Sequence, residues 1–316
     1  VCLAHMGGAQ GSTDLFSSEN LVKNTTGIDV VLDGHSHETI KGVKVKNKDN
    51  KDVLITQTGS HMNNIGKLTI NSQGKITNQL ISSYKGKDEL TERLENNVIK
   101  HIDEEFKVNV ATSSINFIAH DANKDWQVRR RETNLGDLCA DAFYYTLNEV
   151  IGKEDENAKC DVTIVNSGAV RNDVPAKTWQ LLDCRNVHTF DNNVAVRKMT
   201  GKTLKIYLEF ATRNFKDVEK HEDEIGVFPQ VQGVKFEIDT NKDSKLVIDE
   251  KGNYESGDPT PGRIVDLKIY KDGNYITLGD DDECLVGGSA YVLEDCGDGC
   301  TMFKNTTSMY RTSAYV

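Results

Sequence analysis

Long apolar runs are missing: nowhere in the 316 residues is there anything near the ~20 consecutive apolar residues that a bilayer-spanning helix needs. Positive charge is also in short supply. Against 49 Asp and Glu stand 38 Lys and Arg, a net charge of −11 with histidine neutral. Counterion-release binding to a phosphate backbone needs a basic face, so a nucleic-acid polymer is excluded as a partner, while a small nucleotide can still use a local basic pocket. Prolines number four and hydrophobic residues make up 37%, which suits a globular chain large enough to bury a core without staples. No internal repeat or low-complexity tract is present.

An initiator Met and a charged-then-apolar leader are absent as well. Val1-Cys2-Leu3-Ala4-His5 reads as the end of a buried strand delivering a histidine. The expectation is a chain that begins inside a domain, with any targeting information upstream. The seven cysteines (Cys2, Cys139, Cys160, Cys184, Cys284, Cys296, Cys300) are too scattered for a zinc knuckle and odd in number, so at least one thiol is unpaired within a monomer. Cys296 and Cys300 form a C-x3-C pair inside a Gly/Asp turn, which fits a local disulfide or two free thiols. The size of the chain removes the need for a staple, and free thiols are expected.

What is present divides into about two domains. Ile28 to Leu32 is a short apolar run ending at Asp33-Gly34, a buried strand feeding a loop that carries His35-Ser36-His37. Val53 to Ile55 leads into Thr58-Gly59-Ser60-His61, and Ile65 to Ile70 alternates as a half-buried strand before the turn Asn71–Gly74. Leu90, Leu94, Val98, Ile102 and Phe106 recur every four residues on a charged background, predicting an exposed linker helix over 86–107. Farther on, Asn134 is an N-cap candidate for a helix with Leu135, Leu138, Cys139, Ala142 and Phe143 on one face and Asp137 in its first turn. Asp161 to Val165 alternates as a strand into Asn166-Ser167-Gly168-Ala169-Val170-Arg171, a small-residue turn able to bring N–H groups and a guanidinium to a ligand. Gly201 precedes a helix, and Val227–Ile238 and Ile264–Leu278 read as strands, the latter a hairpin about Asp272-Gly273.

Residues able to carry chemistry fall at the ends of these strands. His5, His35 and His37 each stand at or just past an apolar strand, where an α/β sheet opens its ligand crevice. Three imidazoles suit zinc or another first-row divalent metal, and the same spacing suits solvated loop histidines. Asp14 and Asp33 are either orienters for such ligands or plain loop carboxylates, and His61 has the same two readings. Arg131 and Arg171 offer planar paired donors to anionic oxygens. Arg129-Arg130-Arg131 lies just before a helix start, where charge and dipole add, and reads equally as a basic solvated face, to which Arg129 is assigned. Phe190, Tyr291 and Phe303 are stacking candidates or core, and Asp298 is a ribose acceptor or a turn residue.

Taken together, these segments resemble one family. Ala4-His5-Met6-Gly7, Gly27 to His37 and Thr56-Gln57-Thr58-Gly59-Ser60-His61 resemble the closing part of the calcineurin-like metallophosphoesterase domain of the 5′-nucleotidase family. Arg131 to Leu138, Asn166 to Arg171, Gly201-Lys202-Thr203-Leu204 and Gly297-Asp298-Gly299 resemble that family's C-terminal substrate domain, in the same order. The fold class implied is mixed α/β: a partial metallophosphoesterase sandwich over 1–82, a linker with its helix over 83–117, and an α/β substrate domain over 118–316.

The resemblance implies metal ligation by His5, His35 and His37, and ribose and phosphate contacts by Arg131, Asn166 and Arg171. Phe190 falls on one face of an aromatic sandwich around the base, Tyr291 on the other, and Asp298 on the ribose. Three departures stand out. Thr189 precedes Phe190 where the family commonly has Pro, the run from Tyr291 to Asp298 is one residue longer than usual, and Cys296 replaces a glycine. The early Asp-x-His and the Asn-His-Asp/Glu element of the family are absent, and three histidines cannot bridge two metal ions.

The expectation is therefore a C-terminal fragment, inactive by itself, of a secreted, periplasmic or wall-attached phosphomonoesterase. Its parent would use two divalent ions, zinc, manganese or similar, on nucleoside 5′-monophosphates or related nucleotides, with the linker helix letting the substrate domain swing. The rivals are a non-catalytic nucleotide-binding or surface-interaction module, and a cyclic-nucleotide or nucleotide-sugar phosphodiesterase.

Overall fold

The structure, a computed structural model, describes residues 1–8, 17–216 and 225–315; Asp14 lies outside them. The chain forms two compact units, Val1–Asn96 and Asn97–Val316.

In the first unit β1 (Cys2–Leu3), β2 (Val30–Asp33), β3 (Thr39–Lys46) and β4 (Asp52–Thr58) make a sheet ordered β1-β2-β4-β3. The first three strands in that order are parallel, and β3 is antiparallel to β4. Val30 and Val31 are fully buried, as parallel strands covered on both faces require. With Val22 of α1 (Ser18–Lys23), the side chains of Val31, Val45, Val53 and Ile55 close a small core. A hairpin of β5 (Ile65–Ile70) and β6 (Ile76–Ile81) turns at Asn71–Gly74, where Asn71 Oδ1 accepts from the amides of Gln73 and Lys75. Helix α2 (Glu89–Phe106) buries no residue, so its four-residue periodicity marks an exposed stripe.

In the second unit β7 (Asn109–Thr112) pairs with β9 (Thr178–Gln180), and Phe117 bridges to Val174. Helix α3 (Asn134–Tyr145) is capped one residue before the expected Asn134: the Thr133 hydroxyl accepts from Gly136 N at 3.0 Å. Asn134 instead tethers the preceding chain, accepting from Ile118 N and donating to Asn116 O.

The centre is a sheet of β8 (Val162–Asn166), β10 (Asn193–Thr200), β11 (Pro229–Gln232), β17 (Glu283–Ser289) and β18 (Thr307–Tyr315), ordered β11-β8-β17-β10-β18. In it β8 and β17 are parallel and the other neighbours antiparallel. Period-two alternation sends successive side chains to opposite faces. Val162, Ile164, Ala195 and Met199 join the core under α5 (Gly201–Ala211), while Val165, Val194 and Val196 join Leu135 and Phe143 of α3.

The remaining strands, β12 (Val234–Ile238), β15 (Ile264–Lys271) and β16 (Asn274–Thr277), form a separate sheet, and β13 (Val247–Ile248) pairs with β14 (Tyr254–Ser256). The stretch 227–238 thus splits between two sheets. It breaks at Gly233, where a φ of +80° and the Asp161 carbonyl close by exclude a side chain. Two short helices, α4 (Leu181–Val187) and α6 (Ala290–Leu293), complete the unit. All seven cysteines are free thiols, as the size argument predicts.

Candidate functional site

Because β8 and β17 are parallel neighbours, their carboxyl ends lie side by side. β8 ends on Asn166, and β17 runs into α6, whose first turn Ser289 caps by accepting from Tyr291 N at 3.2 Å. The turn after α6 then returns Asp298 to the same edge. Tyr291 OH donates to Asp298 Oδ1 at 2.9 Å and accepts from Asp298 N at 3.2 Å. Asn166 Nδ2 donates to Asp298 Oδ2 at 3.0 Å.

These contacts leave one polar atom conspicuous. Asn166 is 5% exposed, and among the described residues its Oδ1 is buried with no hydrogen-bond partner. Buried acceptors are normally satisfied, and this one is not. Burial, the Asp298 charge and the hydrogen bond to it push the Tyr291 hydroxyl up to about 12, keeping it a donor at neutral pH. Cys296 and Asp298 both take left-handed backbone, φ +55° and +53°. In this turn Gly297 lies directly against the Tyr291 ring.

The loop leaving Asn166 also carries Arg171. Its Nη1 donates to Gly168 O at 3.3 Å and its backbone N to Val187 O at 2.9 Å. The guanidinium carbon lies 5.4 Å from the Trp126 ring centre and 5.8 Å from that of Phe190, within cation–π range. Among the described residues no carboxylate pairs with it, and burial lowers its pKa from the ordinary arginine value. Phe190 is 51% exposed, a large ring in water next to a half-buried cation.

The other candidates sort unevenly. Phe303 is fully buried against Tyr207 and is core. Arg129 is not a solvated-face residue: its guanidinium carbon sits 4.0 Å over the Trp126 ring. Arg130 is 2% exposed, with Nη2 3.9 Å from Asp121 Oδ2. The Arg131 carbonyl accepts from Gln230 Nε2 at 2.8 Å. Trp126, which also packs against His120 with ring centres 4.0 Å apart and planes tilted by 45°, is the residue that pattern reading overlooks. Its signal was its isolation, a tryptophan within the polar run Asp121–Gln127.

In the first unit the parallel strands bring the histidines to one edge. His5 and His35 rings lie 5.2 Å apart and His37 and His61 rings 6.2 Å apart. His35, His37 and His61 have φ of 81°, 61° and 51°, costly for non-glycine residues and concentrated at functional loops. Asp33 acts as a loop clamp: Oδ1 accepts from the amides of Met6, Gly7 and Gly34, and Oδ2 from Ser18 Oγ at 2.6 Å. Burial alone would raise its pKa, but the bonds from Ser18, Met6, Gly34 and Gly7 outweigh it and hold the carboxyl below its usual range. Among the described residues no group of three His, Cys, Asp or Glu side chains is placed to hold a metal. Two imidazole pairs and an already engaged carboxylate do not fit a two-metal centre, which needs bridging oxygen ligands.

The second unit is thus a mixed α/β domain in which the chain after β8 and the chain after β17 bring Tyr291, the Asp298 carboxylate and the Asn166 amide together, with Arg171 on the same loop as Asn166. Residues 109–305 match the family described as 5′-nucleotidase, C-terminal domain, and the chain belongs to that family. It is 27% identical over 290 residues to the trifunctional nucleotide phosphoesterase protein YfkN of Bacillus subtilis (strain 168), covering 89% of this chain and 18% of that protein. It is 30% identical over 124 residues to a 5′-nucleotidase of Vibrio parahaemolyticus, covering 39% of this chain and 19% of the relative. The solved 5′-nucleotidase precursor of Thermus thermophilus superimposes with a TM-score of 0.64 at 20% identity, over 92% of this chain and 55% of that one. A putative 5′-nucleotidase of Staphylococcus aureus gives 0.59 at 14% identity, over 91% of this chain and 51% of that one. These structures show the fold. The chain spans under a fifth of the curated relatives and about half of the solved ones. Among the described residues no helix is long and apolar enough to cross a membrane.

Proposed function

We propose that the second unit binds the nucleoside part of a nucleotide for a metal-dependent phosphoric monoester hydrolase acting on nucleoside 5′-monophosphates or related nucleotides. The observation that carries this is the buried, unpartnered Asn166 Oδ1 beside Asp298. A carboxylate with acceptor capacity left and a buried amide oxygen are what two neighbouring ribose hydroxyls satisfy. The exposed Phe190 ring offers a stacking face, and Arg171 an anion contact. Residues 1–82 belong, in this proposal, to the metallophosphoesterase part, supported by the family resemblance and by the histidine edge. Two divalent ions and a location outside the cytoplasm are carried by the resemblance alone. Among the described residues the histidines do not complete a metal centre, and the proposal for this chain is therefore confined to binding.

The test is calorimetry with adenosine on the 316-residue chain and on Asn166→Ala, with adenosine monophosphate turnover followed with and without chelator. Binding that Asn166→Ala weakens ten-fold or more, without chelator-sensitive turnover, is expected. Absence of nucleoside binding would sink the reading, and chelator-sensitive turnover would overturn the division of roles.

A further inference from the structure

The Arg171 guanidinium stands within cation–π distance of two rings, 5.4 Å from Trp126 and 5.8 Å from Phe190. Among the described residues its side chain makes one hydrogen bond, to Gly168 O at 3.3 Å, which leaves most of its five N–H groups for a ligand. An arginine so placed, with no carboxylate beside it among the described residues, would otherwise sample solvent. Phe190 cannot hold it alone, because that ring is 51% exposed and is the surface offered to a base.

Trp126 is better anchored. His120 packs against it, ring centres 4.0 Å apart and planes tilted by 45°. His120 N and Ala119 N donate to Asp173 Oδ1 at 2.9 and 2.7 Å, and His120 and Trp126 form an antiparallel bridge. Arg129 packs over the indole at 4.0 Å.

We propose that Trp126 is a positioning residue of the nucleotide site: its indole holds the Arg171 guanidinium so that its free N–H groups are presented to an anionic group of the ligand. This rests on the nucleotide reading above and adds to it the device that orients the anion contact. The ring touches no ligand itself. An ordered guanidinium has given up its rotamer entropy before the ligand arrives, so the bound anion gains the full paired contact.

The experiment compares the parent with Trp126→Leu, Trp126→Met and Trp126→Phe, by calorimetry with adenosine and with adenosine monophosphate. A cation–π contact of this kind is worth about five- to ten-fold in affinity. Trp126→Leu should weaken adenosine monophosphate binding by that factor and adenosine binding by less than two-fold. Trp126→Phe, which keeps an aromatic face, should restore most of the difference, and Trp126→Met, which fills the space without that face, should not. Met also stands in should the Leu variant fail to fold. Without ligand, the Arg171 Nε–H resonance, identified by its loss in Arg171→Lys, should exchange slowly in the parent and in Trp126→Phe and fast in Trp126→Met. Equal weakening of both ligands, an unchanged affinity ratio, or a failure of Phe to rescue would overturn the positioning role while leaving the nucleotide reading intact. A parent that binds neither ligand would overturn both.

Discussion

Gly297 lies so close to the Tyr291 ring that a Cβ added there would fall inside the van der Waals surface of Cζ, Cε1 and Cε2. Gly297→Ala therefore forces either the ring or the turn to move. The ring is held by its reciprocal bonds with Asp298, at 2.9 and 3.2 Å. The turn is held by Cys300 N donating to Gly297 O at 3.1 Å and by Gly299 passing the Gly252 carbonyl. Either escape separates Tyr291 from Asp298. Overpacking costs about 1–3 kcal/mol. The lost bond adds about 1 kcal/mol, less than the usual value for a charged acceptor because Tyr291 is 39% exposed. At about 1.4 kcal/mol per decade, adenosine affinity should fall ten-fold or more.

Tyr291→Phe removes the hydroxyl alone and should cost about five-fold. The double variant then discriminates. If the alanine has already broken the Tyr291–Asp298 bond, deleting the hydroxyl as well should change affinity by less than two-fold beyond Gly297→Ala, a coupling expected only of groups in contact. Calorimetry with adenosine reads all three, and circular dichroism confirms the fold. Gly297→Ala binding within two-fold of the parent, or losses that multiply in the double variant, would refute the reasoning.

Burial lowers the His188 pKa to about 4, so as pH falls the unfolded chain takes up the proton first, from about 6.5, and stability drops until the folded ring protonates. His188→Phe should remove about 2 kcal/mol of the stability lost between pH 7 and 4.5 in urea unfolding; an unchanged difference between the two pH values would refute this. Stacking a base on a ring is worth about 1–3 kcal/mol, so Phe190→Ala should weaken adenosine binding roughly ten-fold, and unchanged affinity would return Phe190 to a structural role. Arg171→Lys keeps the charge but loses planar paired donors and should cost about ten-fold for adenosine monophosphate, with little dependence on salt because the contact is partly desolvated. Arg129→Lys should cost two- to five-fold, since it loses the stack on Trp126; no effect there would return Arg129 to the solvent face.

Local determinants were legible and non-local ones were not. The strand at 162–166, the hairpin at 264–277 and the helix at 89–106 announce themselves by their own periodicity. β17 does not, because Gly287 and Gly288 dilute its strand character. Both glycines answer to contacts distant in sequence: a Cβ on Gly288 would come 2.5 Å from Ile164 O, and one on Gly287 2.9 Å from Cys160 Sγ. Phe190 and Phe303 are the same residue type in similar polar surroundings, yet one is half in water and the other fully buried. The three consecutive arginines show the same limit. Arg130 N and Arg131 N both bond to Gln127 O, so the segment is a tight turn that points its side chains in different directions. Charge alone could not say that Arg129 would meet Trp126.

The site itself depends on a single topological fact. In an antiparallel sheet neighbouring strands end at opposite edges, so a loop after one strand cannot meet a loop after its neighbour. The pairing of β8 with β17 is parallel, in register from Val162 opposite Val286 to Ile164 opposite Gly288. Chain leaving Asn166 and chain leaving Ser289 therefore emerge together although 123 positions separate them. Open α/β sheets place ligands at such carboxyl ends. The antiparallel partners β10 and β11 close the sheet on either side, which leaves this junction as the edge where a buried amide, a carboxylate and an aromatic ring can converge. Glycines at 287 and 288 let the two strands and their neighbours approach closely enough for that convergence. The residues least informative as sequence are thus the ones that let the informative ones meet.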